Sequence, residues 1–190
     1  MSWDESLFRA INGLAGQSPV LDWLAFTLSD PDTLWLPGIL LGCYWIWLSW
    51  REALIAGPVL AGLIGLLDFL GAQVKHLIAR PRPCVALSDI QQLQACGKVF
   101  AFPSNHAINT AAAAAFLHVL YPRSGWVSWP LVILVGLSRV YLGAHYVTDV
   151  IGGWMMGGLG GAAIAWALLH WTHMRERTFA AKPQAGQSIS

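Results

Sequence analysis

The sequence predicts an all-α protein, a polytopic membrane helix bundle of about five to six transmembrane helices preceded by an N-terminal amphipathic helix. Three observations predict it. Apolar residues make up 56% of the 190, and Asp, Glu, Lys and Arg together only 11%, against about 25% charged in a soluble domain. There are 11 Trp and 19 Gly. Five segments are apolar over roughly the 20 residues that a helix needs to cross the hydrocarbon core. Together these exclude a disordered chain, a coiled coil and an ordinary soluble enzyme. By length the chain is one domain, which we place at residues 1–179. Residues 180–190, small and polar with one Pro, read as a disordered tail. A net charge of +1 offers no basic surface for nucleic acid, and three Cys are too few for a disulfide-rich secreted scaffold.

The elements follow in order. The first 16 residues have no basic n-region and no apolar h-region, so they do not read as a signal peptide. Trp3, Leu7, Ile11 and Leu14 recur at helical spacing, and Asp4, Glu5 and Arg9 fall largely elsewhere on the wheel. This predicts a short amphipathic helix lying in the membrane interface; an ordinary N-terminal extension is the plainer alternative. Residues 21–28 are apolar but too short to cross alone. The first span starts nearer Leu21 if the Ser29-Asp30-Pro31-Asp32 break is a surface turn, and whether residues 21–28 belong to another span stays open. The five spans are 34–50, 53–74, an Ala-rich 105–120, 127–142 and 147–171.

Basic residues set the orientation. Arg51, Arg123, Arg175, Arg177 and Lys182 fall on one side, assigned to the cytoplasm, and the acidic N-terminal segment falls on the other. Lys75, Arg80, Arg82, Lys98 and Arg139 break the bias by falling on the outer side, which suggests that they hold an anion. Compactness and the short N-terminus set the expectation of a bacterial inner membrane, with that outer side facing the periplasm.

Three polar clusters meet at this outer surface by topology alone. They are Lys75 through Arg82-Pro83 at the end of span two, Pro103-Ser104-Asn105-His106 at the start of span three, and Ser138-Arg139 with His145 and Asp149 around the junction of spans four and five. Lys75, Arg82 and Arg139 are three cations, and guanidinium forks match phosphate oxygens bidentately. His145 and Asp149, four apart, share a helix face. A carboxylate that accepts from one ring nitrogen leaves the other as nucleophile or base. His106 can act as a general acid near the same anion. Ser104 and the backbone amides at that helix start suit an anion too. No cluster of carboxylates offers a metal site. Any one of these residues alone is a common interfacial anchor; the convergence of all of them is not.

These residues resemble the type 2 phosphatidic acid phosphatase (PAP2) superfamily, whose signature is K-x6-R-P, P-S-G-H and S-R-x5-H-x3-D. Here it stands as Lys75 to Arg82-Pro83, Pro103-Ser104-Asn105-His106, and Ser138-Arg139 with His145 and Asp149, with every spacing kept. One position departs: Asn105 replaces the usual Gly, whose backbone amide helps hold phosphate in the family. Asn is the non-Gly residue that most readily takes unusual backbone angles, so the departure bears on substrate preference more than on activity. The resemblance implies that His145 attacks phosphorus to form a phosphohistidine and that Asp149 orients it. It implies that His106 protonates the leaving oxygen and then activates water. Lys75, Arg82, Ser104, Asn105 and Arg139 would bind the phosphate. No metal and no cofactor is implied.

The implied function is a membrane lipid phosphatase, with undecaprenyl diphosphate as the leading substrate because the chain is compact and the loop between motifs is short. Phosphatidylglycerophosphate, phosphatidic acid and the 1-phosphate of lipid A are rivals, as is phosphate transfer between lipids. A lipid-binding or transport protein without chemistry, or a structural subunit, leaves the His-Asp pair unexplained. The expected partners are the lipid substrate and membrane lipids.

Other features carry two readings each. Asp68 shares a face with Lys75 and is a functional residue or a structural hydrogen-bond partner. Cys84 and Cys96 flank the outer loop and form a disulfide in an oxidising periplasm, or remain free; Cys43 reads as packing. Gly153, Gly157 and Gly161 allow close helix contact within the chain or in a homodimer. Arg80 and Lys98 widen the anion site toward a second phosphate or are solvated loop charges. His118, His170 and His173 read as interfacial or core residues.

Overall fold

Ser2 caps the first helix of the computed structural model, which describes residues 2–97 and 100–180. Lys98, Lys182 and the expected tail beyond residue 180 lie outside the described residues. Every regular element among the described residues is helical, apart from one isolated bridge between Pro81 and Phe100.

Helix α1 spans Trp3–Asn12, with the Ser2 side chain accepting from the Glu5 amide and Asp4 and Glu5 in its first turn. Both features suit the positive end of a helix. Trp3, Leu7 and Leu14 of its apolar stripe are exposed, while Ile11 packs against the core. The adjoining row, Asp4, Phe8 and Asn12, is buried against the rest of the chain. The predicted amphipathic helix is present, and its inner face is the one that carries polar groups.

Helix α2, Pro19–Ser29, is a separate helix, which settles the open reading of residues 21–28. Ser18 caps it and Pro19 occupies its first position, where a missing N–H costs nothing. It stops at Asp30, whose extended backbone is what a residue before Pro31 favours.

Helix α3, Pro31–Ile78, joins the first two predicted spans. Its one non-helical residue is Ser49, at φ −150° and ψ 64°. Trp45 before this break and Glu52 after it both hydrogen-bond the Tyr121 hydroxyl. The turn expected near Arg51 is therefore a single-residue bend at the end of the bundle away from Lys75. Ala79, left-handed at φ 50°, closes α3.

A short turn, α4 (Pro83–Ala86), opens the outer loop. Helix α5 (Asn105–Leu120), a 3₁₀ turn (Pro122–Ser124), α6 (Gly125–Tyr141) and α7 (Val147–Ala180) complete the chain. Helix α5 matches its predicted bounds and is the central element, with Ala107, Ile108, Ala111, Ala112, Ala114, Ala115 and Phe116 buried. Its Ala-rich composition lets α7 come close. A Cβ on Gly157 or Gly161 would overlap the carbonyl oxygens of Ile108 and Ala112, and one on Gly153 would sit 2.7 Å from the Ser104 carbonyl. In lipid, where burial of apolar surface gives no drive for helices to associate, such backbone approach is a main source of cohesion. Of the two readings of these glycines, the contact within the chain is present: α5 covers all three.

Two helices among the described residues, Ser49–Ile78 and Val147–Thr172, are long and apolar enough to cross a bilayer, and Gly38–Trp47 is a shorter apolar helix. With 16 and 17 residues, α5 and α6 reach about 25 Å at 1.5 Å per residue, short of a ~30 Å core. Large apolar side chains such as Leu41, Trp47, Phe69, Trp126, Leu159 and Trp166 point outward, more apolar exposure than a soluble monomer tolerates. Cys43 is a free thiol and exposed too.

Candidate active site

The end of the bundle that holds Lys75 carries a cavity of about 570 Å³ lined by Lys75, Arg82, Asn105, His106, Arg139 and His145, with Asp68, Ala72, His76 and Phe100 completing its wall. Six of the eight candidate residues line it, from α3, the α4 cap, α5, α6 and the loop before α7. The other two, Ser104 and Asp149, are fully buried and linked, the Ser104 amide donating to the Asp149 carbonyl oxygen at 3.0 Å. A second cavity, about 320 Å³, lies at the other end among Arg51, Glu52 and Tyr121 and contains none of the candidates.

Each side chain is held from outside the cavity. Lys75, in the last turn of α3, donates to the Pro103 carbonyl. Arg82 donates from Nε to Phe100 O and from Nη1 to Ala144 O, both at 3.2 Å. Burial pushes the Arg82 guanidinium below its ordinary pKa, against the opposing pull of Asp149. Arg139, in the last turn of α6 and 6% exposed, donates from Nη1 to Gln94 Oε1 at 3.0 Å. Its Nε, Ser104 Oγ and His145 Nδ1 are buried without a hydrogen-bond partner in the chain. Buried polar groups are normally paired, so the unpartnered Arg139 Nε on a residue that lines the cavity suits a polar ligand.

His145 is 2% exposed, in the loop between α6 and α7. Its Nδ1 lies 3.6 Å from Asp149 Oδ2, so the carboxylate faces Nδ1 and Nε2 is the nitrogen left for the cavity. Burial first, then the cations Arg82, Arg139 and Lys75, push the imidazole well below its ordinary pKa. A neutral ring retains the lone pair that a nucleophile needs. His106, in the first turn of α5, lines the cavity. The Ser29 side chain meets Ser138 Oγ at 2.7 Å. Helix α2 thus braces the end of α6 that carries Arg139, which its short apolar run did not reveal.

Arg80 corrects both of its sequence readings. It neither widens the anion site nor lies in solvent. Its Nη1 donates to Asp149 Oδ1 at 2.8 Å and its Nη2 to Asp4 Oδ2 at 2.7 Å. Sequence reasoning missed Asp4 and Thr148. The signal for Asp4 was its place on one row with Phe8 and Asn12, beside the apolar stripe.

Asp68 accepts from Asn105 Nδ2 at 2.6 Å and from Asn109 Nδ2 at 3.3 Å. Cys84 and Cys96 form a disulfide with Cα atoms 5.9 Å apart, which ties off the loop that carries Gln94. Among the described residues, no three His, Cys, Asp or Glu side chains form a group that could hold a metal ion.

With this geometry in view, the comparisons with known proteins are specific. The model of the PAP2 superfamily matches residues 53–177. An undecaprenyl-diphosphatase of Bacillus subtilis, BcrC, is 33% identical over 153 residues, covering 77% of this chain and 74% of the relative. A lipid A 4'-phosphatase of Bacteroides thetaiotaomicron is 31% identical over 170 residues, covering 83% and 73%. The crystal structure of a transmembrane PAP2-type phosphatidylglycerolphosphate phosphatase from Bacillus subtilis superposes with a TM-score of 0.64 at 26% identity, covering 85% of this chain and 82% of that one.

Proposed function

This chain belongs to the PAP2 superfamily, and on that premise we propose that it is an integral membrane phosphatase. It removes phosphate from a lipid through a phosphohistidine, with undecaprenyl diphosphate as the leading substrate. The observation that carries the reading is the meeting of the His145–Asp149 pair, His106 and three cations on one cavity. A single domain over residues 1–179 carries the activity, in a bacterial inner membrane with the cavity toward the periplasm.

Lys75, Arg82 and Arg139 hold the phosphate oxygens, with Ser104 Oγ and the Asn105 amide at the start of α5. His145 Nε2 attacks phosphorus; the N–P bond forms as the bond to the leaving oxygen breaks. His106 gives its proton to that oxygen. Asp149 stabilises the charge on His145. A water deprotonated by His106 then attacks phosphorus, releasing phosphate and restoring His145. The cation clamp stabilises charge that builds on the equatorial oxygens, which is why we expect no metal requirement.

The undecaprenyl reading is supported by the compact chain and by the likeness to an undecaprenyl-diphosphatase. A second reading is favoured by one observation, the Asp68 carboxylate on the cavity wall. It would repel a second phosphate and accept from hydroxyl groups, as on a lipid A sugar or the glycerol of phosphatidylglycerophosphate. The test is phosphate release by purified protein in detergent with excess chelator, offering undecaprenyl diphosphate, phosphatidylglycerophosphate, phosphatidic acid and lipid A, beside a His145→Ala control. Release that survives chelator and vanishes in the control supports the mechanism, and the preferred lipid selects the reading. No release from any lipid by folded protein overturns it.

A further inference from the structure

We propose that Asp4 and Arg80 are positioning residues for Asp149, so that the N-terminal helix is a working part of the active site; this rests on the proposed His145 mechanism. The three side chains form one chain of charge. Asp4 Oδ2 accepts from Arg80 Nη2 at 2.7 Å, and Arg80 Nη1 donates to Asp149 Oδ1 at 2.8 Å. Thr148, next to Asp149, locks the geometry. Its hydroxyl donates to Asp4 Oδ2 and accepts from Arg80 Nη1, both at 2.6 Å, and its amide donates to Asp4 Oδ1 at 3.1 Å. Tyr146 lies under the guanidinium, 4.0 Å from ring centroid to Cζ.

The arrangement solves an electrostatic problem. Asp149 has two oxygens to place: Oδ2 accepts from the Tyr146 amide at 2.8 Å and faces His145, while Oδ1 needs a donor. Arg80 supplies one. A lone cation there would cancel the negative charge that Asp149 must present to His145, which faces Lys75, Arg82, Arg139 and His106 on its other sides. Asp4 restores the balance. Asp4, Arg80 and Asp149 together carry a net −1, with both carboxylates buried and Arg80 part-buried between them. Burial pushes the Asp4 carboxyl up, but the hydrogen bonds from Thr148 and Arg80 outweigh it and hold the group below its ordinary pKa.

Charge makes the idea testable in a way that mere scaffolding is not. Asp4→Asn takes the trio to 0 and disfavours protonated His145; Arg80→Gln takes it to −2 and favours it. The His145 imidazole is titrated by NMR in labelled protein in detergent, a readout independent of turnover. Its midpoint should rise in Arg80→Gln, fall in Asp4→Asn, and return toward wild type in the double variant. In parallel, kcat for phosphate release should fall in both single variants, on the order of tenfold, the low end of what loss of an outer hydrogen-bonding partner costs a functional site. KM should change little, because neither residue touches the cavity. Midpoints that move the same way in both variants, or not at all, with folding intact by thermal unfolding, overturn the proposal. Wild-type protein that releases no phosphate but shows opposed midpoints keeps the relay and overturns the phosphatase reading instead.

Discussion

Asn105 donates a 2.6 Å hydrogen bond to Asp68, so the one position that departs from the motif and the one acid inside span two are a single pair. The pair forms the cavity wall beside the phosphate cations. Asn109 adds a second donor to the same oxygen, Asp68 Oδ1. The Asn105 side chain is thus tied to Asp68, and its backbone amide stands in the first turn of α5.

Asn105→Gly removes this donor and keeps the amide. Turnover should persist, and the ratio of kcat/KM between a lipid diphosphate and a lipid monophosphate should shift about fivefold, equivalent to one hydrogen bond of roughly 1 kcal/mol. Steady-state kinetics on both lipids checks it. An unchanged ratio means that the pair only braces α3 against α5.

The two histidines should separate by leaving group. His145→Ala should lose activity on every substrate. His106→Asn should lose about 10²–10⁴-fold on lipid esters, the usual contribution of general acid–base catalysis. It should lose much less in the phosphorylation step with a p-nitrophenyl ester, whose leaving oxygen needs no proton, so that phosphoenzyme accumulates. Burst kinetics reads this directly; equal losses on both substrates would remove His106 from the acid role.

The site was legible in the sequence because its residues sit at fixed gaps on helix ends that topology forces to one surface. Lys75, His106, Arg139 and His145 needed no more than that. What supports them was not legible. The row of Asp4, Phe8 and Asn12 was visible on the wheel, but nothing in it said that Asp4 and Asn12 are buried along with Phe8 while Trp3, Leu7 and Leu14 stay exposed. Arg80 looked like one more cation beside Arg82; the left-handed turn at Ala79 precedes both residues, and they diverge beyond it. Helix α2 was too short for a span test, and its value lies in one buried residue, Ser29.

The Cys84–Cys96 bridge closes the loop that presents Gln94 to Arg139. Closing a loop of this length constrains the unfolded chain by about 3 kcal/mol. Cys84→Ser, or reduction of the wild type, should lower the thermal unfolding midpoint. It should also raise KM more than it lowers kcat, because Arg139 loses its outer partner. A midpoint that does not move under reduction would contradict this.

Glycine positions on α7 and α3 should respond in opposite ways. At Gly157 a methyl group meets the Ile108 carbonyl, whereas at Gly62 nothing lies within 4 Å. Gly157→Ala should destabilise by about 1–3 kcal/mol or more through overpacking. Gly62→Ala should be neutral or slightly stabilising, since Ala is the better helix former by about 1 kcal/mol. Thermal unfolding of the two proteins in one detergent decides it.

Acid should expose the burial of His145. Its imidazole is held well below the ordinary value of 6.5 by burial and by the surrounding cations, while the unfolded chain takes up a proton near 6.5. Between the two values the unfolded state binds more protons, so stability rises with pH there. The contribution is full above pH 6.5 and is lost as pH falls toward the folded value. Replacing the ring by the neutral amide of His145→Asn removes the effect. Unfolding free energies of wild type and variant should therefore differ by a constant above pH 7. Below pH 6.5 wild type should lose ground to the variant, approaching about 1.4 kcal/mol per pH unit. Parallel curves down to pH 5 would mean that His145 already accepts a proton in the folded protein. The neutral nucleophile that the mechanism requires would then have to be generated after the phosphate arrives.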